Sequence, residues 1–225
     1  MALILNIETA TTVCSVALAR NGVLFNIREE NKGYTHSENL TAFIDEMMKE
    51  SGLSYSELDA VAVSSGPGSY TGLRIGISSA KGFCLALEKP LIAVSTLKSL
   101  AACIPSESRL LCPMIDARRM EVYCAVYDEN LAEIEAVSSK VIDENSFAEL
   151  LERREVCFFG DGASKCRQVL AHQPRAVFVD NIFPTAQAMT PLAEEKFRMG
   201  EFENVALFEP FYLKEFVAGS KKTVQ

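Results

Sequence analysis

Residues 3–26 read LILNIETATTVCSVALARNGVLFN, and this stretch decides the fold of the first half of the chain. The pattern predicts an apolar strand that ends at Glu8, a short turn rich in threonine and a second strand with alternating apolar residues. Asn21 and Gly22 follow that strand. An Asn-Gly pair between alternating strands is a strong signal for a β-hairpin, so we expect the chain to begin with a hairpin and a third strand.

A similar pattern recurs in residues 112–136, which read CPMIDARRMEVYCAVYDENLAEIEA. Aligning Glu8 with Asp116 gives an offset of 108 residues (116 − 8), and we expect this offset to hold without a gap across both hairpins. A helical pattern and a buried strand follow each hairpin in the same order. An accidental likeness of two hairpins is the alternative, but the matched order of four or five elements favours an internal duplication.

The helical pattern of the first half spans residues 36–51, where apolar residues recur every three or four positions. Thr35 and Glu38 fit a capping box at its start, and Gly52 fits its end. The counterpart in the second half is NSFAELLERR, residues 145–154, which is shorter. The same type of element in the same place supports the duplication.

These elements predict an α/β fold of two lobes, each a mixed sheet flanked by helices. Proline, serine and charged residues interrupt the pattern in residues 101–113, which favours a boundary there. We expect residues 1–103 to form an N-terminal lobe and residues 104–205 to form a shorter, more divergent C-terminal lobe. Residues 206–225 would form a tail that packs back on the N-terminal lobe.

The composition argues against several classes of protein. The chain carries 30 acidic and 22 basic residues and a formal net charge of −8. This makes it a poor stand-alone binder of nucleic acid, because phosphate contacts supply most of that affinity. Its seven cysteines are odd in number and form no CxxC pair, as expected of a reduced cytoplasmic protein. No uncharged span reaches the roughly 18 residues of a membrane helix, so we expect no membrane association.

Residues 64–82, SSGPGSYTGLRIGISSAKG, have the glycine content of a phosphate-binding loop and follow an apolar run. A P-loop needs GxxxxG followed by Lys and then Ser or Thr. Here Gly72 is followed by Leu73 and Arg74, and the dinucleotide fingerprint GxGxxG is also absent from this stretch. The glycines therefore call for an explanation other than phosphate binding.

Small residues recur every four positions in this stretch, at Gly68, Gly72, Gly76 and Ala80. On a helix that begins near Tyr70, the last three share one face. Glycine inside a helix costs about 1 kcal/mol relative to alanine, which is tolerable where another backbone approaches closely. We expect that neighbour to be a helix, either the helix at residues 36–51 or a helix of a partner protein.

Several apolar residues of the two helices are unusual choices for a surface in contact with water, and an external partner would explain them. We therefore expect the N-terminal lobe to carry the partner surface. The predicted contact residues are Leu40, Phe43, Ile44, Met47, Gly72, Ile75, Gly76, Ser79, Ala80 and Phe83.

Five motifs together resemble the bacterial TsaB family, also called YeaZ. In chain order they are NIETATTVCSVAL (6–18), GPGSYTGLRIGISSAKG (66–82), VSTLKSLA (94–101), IDARRMEVY (115–123) and EPFYL (209–213). The resemblance runs from residue 1 to about residue 215 in the right order, and the GPGS stretch is highly specific. It implies the duplicated actin-like ATPase fold of sugar kinases and heat-shock chaperones.

The resemblance also implies a role in making threonylcarbamoyladenosine next to the anticodon of tRNA. Members of the family pair with TsaD, a paralogue that carries the catalytic site, and with the ATPase TsaE. In the family, the helix that contains the GPGS stretch and the helix before it form the surface that meets TsaD, so the resemblance implies that the glycines admit a helix. When TsaD is absent, we expect a homodimer through the same helices, and we expect tRNA to be bound only as part of the complex.

Few residues are candidates for catalysis. TsaD binds a metal through HxxxH, whereas this chain has only His36 and His172, and we expect a surface or capping role for His36. Actin-like ATPases cradle phosphate with a small-residue hairpin, but the second hairpin here is bulky. Vestigial cofactor-site candidates are Glu8, Asp116, Gly160 and Gly162. The glycine pair fits either a remnant of a nucleoside site or a plain turn after a strand, and we favour the turn.

The sequence thus predicts a non-catalytic, cytoplasmic subunit of a tRNA threonylcarbamoyltransferase complex. We expect no cofactor and no metal in the isolated chain, with ATP used by the complex. One alternative is an ATP-dependent transferase or kinase that uses Glu8 and Asp116 in the cleft between the lobes. A weaker alternative is a glycoprotease-like peptidase, for which neither a nucleophile nor a metal set is visible.

Overall fold

The computed structural model describes residues 2–33, 35–105 and 107–214. The strands are β1 (Leu3–Glu8), β2 (Cys14–Arg20), β3 (Val23–Glu30), β4 (Ala60–Gly66), β5 (Leu91–Ser95), β6 (Leu110–Asp116), β7 (Glu121–Tyr127), β8 (Glu133–Val141), β9 (Val156–Phe159) and β10 (Ala176–Phe178). The helices are α1 (His36–Ser51), α2 (Tyr70–Leu87), α3 (Thr96–Ala101), α4 (Ala148–Leu151), α5 (Ala163–Leu170) and α6 (Ala186–Met199). No helix in these ranges combines the length and hydropathy that a membrane crossing requires.

The strands form two five-stranded sheets of the same topology. The first has the order β3-β2-β1-β4-β5 and the second the order β8-β7-β6-β9-β10. In each sheet the first three strands are antiparallel, and the last two run parallel to the first strand of their half. The predicted duplication and the mixed sheets are therefore confirmed.

The register of the two hairpins differs by one residue. Glu8 pairs with Ser15 in the first hairpin, whereas its equivalent, Asp116, pairs with Val122 in the second. An offset of 108 would pair Asp116 with Tyr123, so the expected ungapped alignment was wrong across the turn. The physical reason is that the turn between β6 and β7 is one residue shorter than the turn between β1 and β2.

Local signals placed several element ends correctly. Asn21 and Gly22 have φ of 53° and 74°, the left-handed pair that a tight hairpin turn requires. Gly52 ends α1 with a φ of 65°. The predicted capping box was wrong, because the Thr35 hydroxyl makes no hydrogen bond with any described residue and the Glu38 amide donates instead to the Thr35 carbonyl oxygen at 3.0 Å.

One helix from each half of the chain packs on the sheet of the other half: α6 on the first sheet and α3 on the second. Alternate residues of a strand point to opposite faces of the sheet, and Ile4 of β1 packs with Met189 of α6 on the face that α1 and α2 do not cover. Leu100 of α3 packs in the same way with Ile115 in the second lobe. The division at residues 104–205 is therefore corrected, because the apolar far face of the first sheet is covered by α6.

The tail also contacts the first lobe, within the part that the structure describes. The Phe211 amide donates to the carbonyl oxygen of Ser65 at 2.8 Å. The ammonium of Lys81 on α2 donates to two tail carbonyl oxygens at 3.1 Å each. Of the predicted tail, residues 206–225, the last stretch at 215–225 lies outside the described residues.

Candidate functional site

The glycine stripe of α2 packs against the turn between β1 and β2. A Cβ atom at Gly72 would overlap the carbonyl oxygen of Thr9. One at Gly76 would overlap the hydroxyl oxygen of the same Thr9, and one at Gly68 the carbonyl oxygen of Ala10. The Thr9 hydroxyl in turn donates to the carbonyl oxygen of Gly72 at 2.8 Å. The backbone that these glycines admit is that of the chain's own hairpin turn.

This geometry corrects the expectation that the stripe faces a helix. Glycine spacing shows that a close neighbour exists, but it does not identify the neighbour. A turn that follows a central strand can approach the start of the next helix as closely as another helix can. The His36 ring, at the start of α1, also lies close to Gly72, 3.4 Å from a Cβ atom placed there, but the nearest atoms at both Gly72 and Gly76 belong to Thr9.

Most of the predicted partner-contact residues lie in the core of the first lobe. On α1, apolar residues at helical spacing face the sheet, as in an ordinary amphipathic helix. The buried ones are Leu40, Ile44, Met47, Gly72, Gly76 and Ala80. A partner cannot touch them in this conformation, so their assignment as contact residues is corrected.

The other four predicted contact residues are half-buried at the surface, and we call them the outer seam: Phe43, Ile75, Ser79 and Phe83. The three apolar members lie against the edge of the core under α1 and α2. Tyr55 stacks on Phe83 with 5.7 Å between ring centroids. On the same helix, Leu85 is 66% exposed and Gly82 is exposed, and no atom of the described residues lies within 4 Å of a Cβ placed at Gly82. Part of this surface is therefore apolar and exposed.

Glu8 is fully buried beneath the β1–β2 turn and does not reach the cleft between the lobes. Its Oε1 accepts a hydrogen bond from the Ala10 amide at 2.6 Å, while Oε2 makes no hydrogen bond within the part of the chain that the structure describes. Burial raises the pKa of this carboxyl to about 7, against the lowering effect of the Ala10 amide. Glu8 therefore holds the turn from within the lobe, and the expected pair of acids in the cleft is corrected.

His36 is buried as well, so the expected surface or capping role was wrong. Its Nε2 lies 2.8 Å from the carbonyl oxygen of Thr11. The ring thus fixes the β1–β2 turn from the start of α1, opposite the glycines of α2. The sequence carries no signal for this contact, because a lone histidine before an amphipathic helix has the same pattern whether it is buried or exposed.

A cleft of about 920 Å³ separates the two lobes. It is lined by the β1–β2 turn, the first turn of α2, the β6–β7 turn and the end of the described tail. Asp116 lies here, exposed, with its carboxylate accepting from the Arg118 amide at 2.7 Å and forming an ion pair with Lys165. Within the described ranges, no group of three or more His, Cys, Asp and Glu side chains is arranged to hold a metal.

Gly160 and Gly162 serve the turn between β9 and α5. Gly160 has a φ of 99°, and a Cβ atom there would overlap the carbonyl oxygen of Met114. The Gly162 amide donates to the same oxygen at 3.0 Å. The two glycines therefore let this turn lie on the end of β6, as the plain-turn interpretation requires.

Comparisons with known proteins agree with this architecture. A family model described as TsaD, tRNA N6-adenosine threonylcarbamoyltransferase, matches residues 30–220. The tRNA threonylcarbamoyladenosine biosynthesis protein TsaB of Escherichia coli K12 is 36% identical over 228 residues, which cover 97% of each chain. YeaZ from Pseudomonas aeruginosa superimposes with a TM-score of 0.81 at 28% identity, covering 95% of this chain and 100% of that chain.

A more distant neighbour shares the fold alone. Component A of (R)-2-hydroxyglutaryl-CoA dehydratase from Acidaminococcus fermentans has a TM-score of 0.51 at 8% identity and covers 89% of this chain and 100% of that chain. With the YeaZ neighbour, it confirms the actin-like ATPase fold that the sequence predicted.

Proposed function

The chain belongs to the TsaB family of tRNA threonylcarbamoyladenosine biosynthesis proteins, and we propose that it serves this tRNA modification as a non-catalytic subunit that binds the transferase TsaD. The family assignment and the role in tRNA modification follow from relatives that span the chain. The absence of catalysis and the binding of TsaD are the proposal.

One observation carries the proposal: the hairpin turn that an actin-like ATPase would present to a phosphate is here packed into the lobe. Thr9 and Ala10 lie against the glycines of α2, and both are fully buried. Glu8, the acid at the end of β1, is used to hold that turn. The Thr9 amide donates to the Ser64 hydroxyl at 3.4 Å and the Ala10 amide to Glu8 Oε1 at 2.6 Å, so neither amide is directed at a phosphate in the cleft.

The outer seam supports the choice of a protein partner. Its apolar side chains are half-buried, and Leu85 of the same helix is 66% exposed. The outer side of α2 has its own small residues, Ser78, Ser79 and Gly82, which allow another helix to approach. We propose that TsaD docks on this face, that a second copy of the chain occupies it when TsaD is absent, and that TsaE joins the larger complex in the cytoplasm.

The proposed use of ATP lies in the complex and not in this chain. An ATP-dependent transferase acting in the chain's own cleft is the rival function. It requires a carboxylate directed at the nucleotide, whereas Glu8 points into the core and Asp116 is engaged by Lys165 and the Arg118 amide.

Gly82→Arg tests the docking surface without disturbing the fold. A side chain at Gly82 enters open space, and arginine also favours the helix over glycine. We expect the melting temperature to be unchanged or raised and the affinity for TsaD to fall at least tenfold, about 1.4 kcal/mol. The measurement is a quantitative pull-down with purified TsaD.

Ser164→Arg is the matched control. Ser164 is an exposed residue of α5, the helix of the second lobe that corresponds to α2. This variant should bind TsaD like the unaltered chain. If Gly82→Arg also binds TsaD normally, the outer seam is not the docking surface.

A further inference from the structure

The β6–β7 turn carries two arginines that the fold does not use. Arg118 and Arg119 are exposed at the cleft, and their side chains make no hydrogen bond or ion pair with any described residue. The other cations there are engaged, since Lys165 pairs with Asp116 and Lys214 pairs with Glu121. Two guanidinium groups therefore remain available to a ligand.

The backbone at both arginines is in a disfavoured region. Arg118 has a φ of 73° and Arg119 a φ of 53°, the left-handed conformation that glycine or asparagine adopts at lower cost. Non-glycine residues held in such conformations cluster at binding sites. Here the turn keeps two long cationic side chains where a small residue would fit better.

Aromatic residues line the same cleft. The rings of Tyr70 and Tyr212 lie 4.9 Å apart between centroids. Phe211, next to Tyr212, is 48% exposed, and Tyr123 also reaches the cleft. Aromatic rings at an open cleft are suited to stacking on unpaired bases.

The acidic residues of the cleft do not cancel the two free cations. Three carboxylates line it, at Asp116, Glu121 and Asp161. The first two are neutralised by Lys165 and Lys214, and the third accepts a hydrogen bond from the Asp116 amide at 3.0 Å. Among the described residues of the cleft, Arg118, Arg119 and Asp161 are the charged side chains without an ion pair, so their summed charge is positive.

We propose that the cleft between the lobes binds unpaired nucleotides of the RNA substrate, with Arg118 and Arg119 on the phosphates and Tyr212, which lies against Tyr70, under a base. This revises the expectation that the chain binds tRNA only as part of the complex. A guanidinium group can donate two parallel hydrogen bonds to the oxygens of one phosphate. The volume of about 920 Å³ is at the upper end of the range of ligand sites. The proposal rests on the family's role in tRNA modification and not on the docking of TsaD.

RNA fits the cleft better than a free nucleotide does. The bulky β6–β7 turn keeps a phosphate away from the backbone amides, so the contact has to be made by side chains at the mouth of the cleft. An extended strand can place phosphates there and a base on the rings. A base that stacks on a protein ring must first leave its own helix, which is why the site suits unpaired nucleotides.

Fluorescence anisotropy with labelled octauridylate and with an unmodified tRNA transcript tests the proposal on the full chain over a series of salt concentrations. Arg118→Gly and Arg119→Gly should each weaken binding about fivefold or more. Each should also reduce the slope of log K against log salt by about 0.7, the value for one single-strand phosphate contact. Because glycine relieves the left-handed backbone, neither variant should lower the melting temperature.

Two further variants separate the contributions. Arg153→Ala removes the same charge from an exposed position in the second lobe outside the cleft and should bind RNA normally. Tyr212→Leu should weaken binding with no change in the salt slope, because stacking involves no counterion release.

Three results would overturn the proposal. In the first, the arginine variants bind RNA as well as Arg153→Ala does. In the second, AMP or ATP displaces octauridylate at similar concentrations, which would assign the cleft to a free nucleotide. In the third, the variants keep RNA binding but lose TsaD, which would assign the arginines to an acidic protein surface. Gly82→Arg should retain RNA binding, so failure of the docking proposal is seen separately.

Discussion

The β1–β2 turn and the β6–β7 turn occupy equivalent places in two lobes with the same strand order, yet one is buried and the other is exposed. The first is covered by α2, a helix of 18 residues whose glycines lie directly on it. The equivalent helix in the second lobe, α5, has 8 residues and no glycine, and the two glycines that precede it pack on the end of β6 instead.

This difference gives the two turns separate roles. The buried turn packs against β1, α2 and the His36 ring, and its Thr9 and Ala10 amides donate to Ser64 and Glu8. The exposed turn keeps a disfavoured backbone and two arginines at the cleft that have no partner among the described residues. The β1–β2 turn is therefore a packed structural element, whereas the β6–β7 turn is exposed at the cleft.

The largest effect is expected where a glycine of α2 meets the buried turn. Gly72→Ala places a Cβ atom on the Thr9 carbonyl oxygen, which cannot move without displacing β1. We expect the free energy of unfolding to fall by about 3 kcal/mol. Gly82→Ala, on the same helix but facing open space, should raise it by up to about 1 kcal/mol.

Urea denaturation of both variants measures this contrast. Equal effects at the two positions would mean that the stripe does not pack on the turn. A Gly72→Ala variant as stable as the unaltered chain would contradict the buried-turn half of the comparison.

The next effect concerns the acids that end β1 and β6. The folded-state pKa of Glu8 is raised to about 7, whereas an unfolded glutamate titrates near 4.3. The unfolded chain therefore loses this proton first, and the free energy of unfolding falls as the pH rises from about 4.3 to about 7. Below that range the effect of Glu8 disappears. Glu8→Gln should remove this dependence. The stability of Glu8→Gln relative to the unaltered chain should therefore be about 2.5 kcal/mol higher at pH 8 than at pH 5.

Asp116→Asn is the matched substitution in the other lobe. Asp116 is exposed and makes a surface ion pair with Lys165, so we expect a change within about 1 kcal/mol. Denaturation curves at several pH values give both results. A pH dependence that is identical in Glu8→Gln and the unaltered chain would show that Glu8 is not buried in its carboxyl form.

The parts of the fold that depend on short-range sequence patterns could be predicted, whereas those that depend on packing between distant parts of the chain could not. The hairpins, the ends of α1 and the start of α2 follow from alternation, helical spacing and turn residues, all of which act within a few positions. The exchange of α3 and α6 between lobes could not be predicted, because an amphipathic helix shows that it needs an apolar face without showing which sheet provides it.

The site was harder to predict for the same reason. The spacing of Gly72 and Gly76 showed that a backbone comes close, but any backbone satisfies that requirement. The burial of His36 and Glu8 depends on the turn between them, which is set by contacts across the lobe. From the sequence, Arg118 and Arg119 show only that the second hairpin is bulky. Their left-handed backbone, and the absence of partners among the described residues, are visible only in three dimensions.

Reconstituted threonylcarbamoyl transfer to tRNA, with this chain and TsaD each omitted in turn, tests the central claim most directly. We predict no transfer by this chain alone, full transfer with both, a strong loss with Gly82→Arg and retained transfer with Glu8→Gln. Transfer by the chain without TsaD, or its abolition by Glu8→Gln in a folded chain, would contradict the account and assign catalysis to this protein.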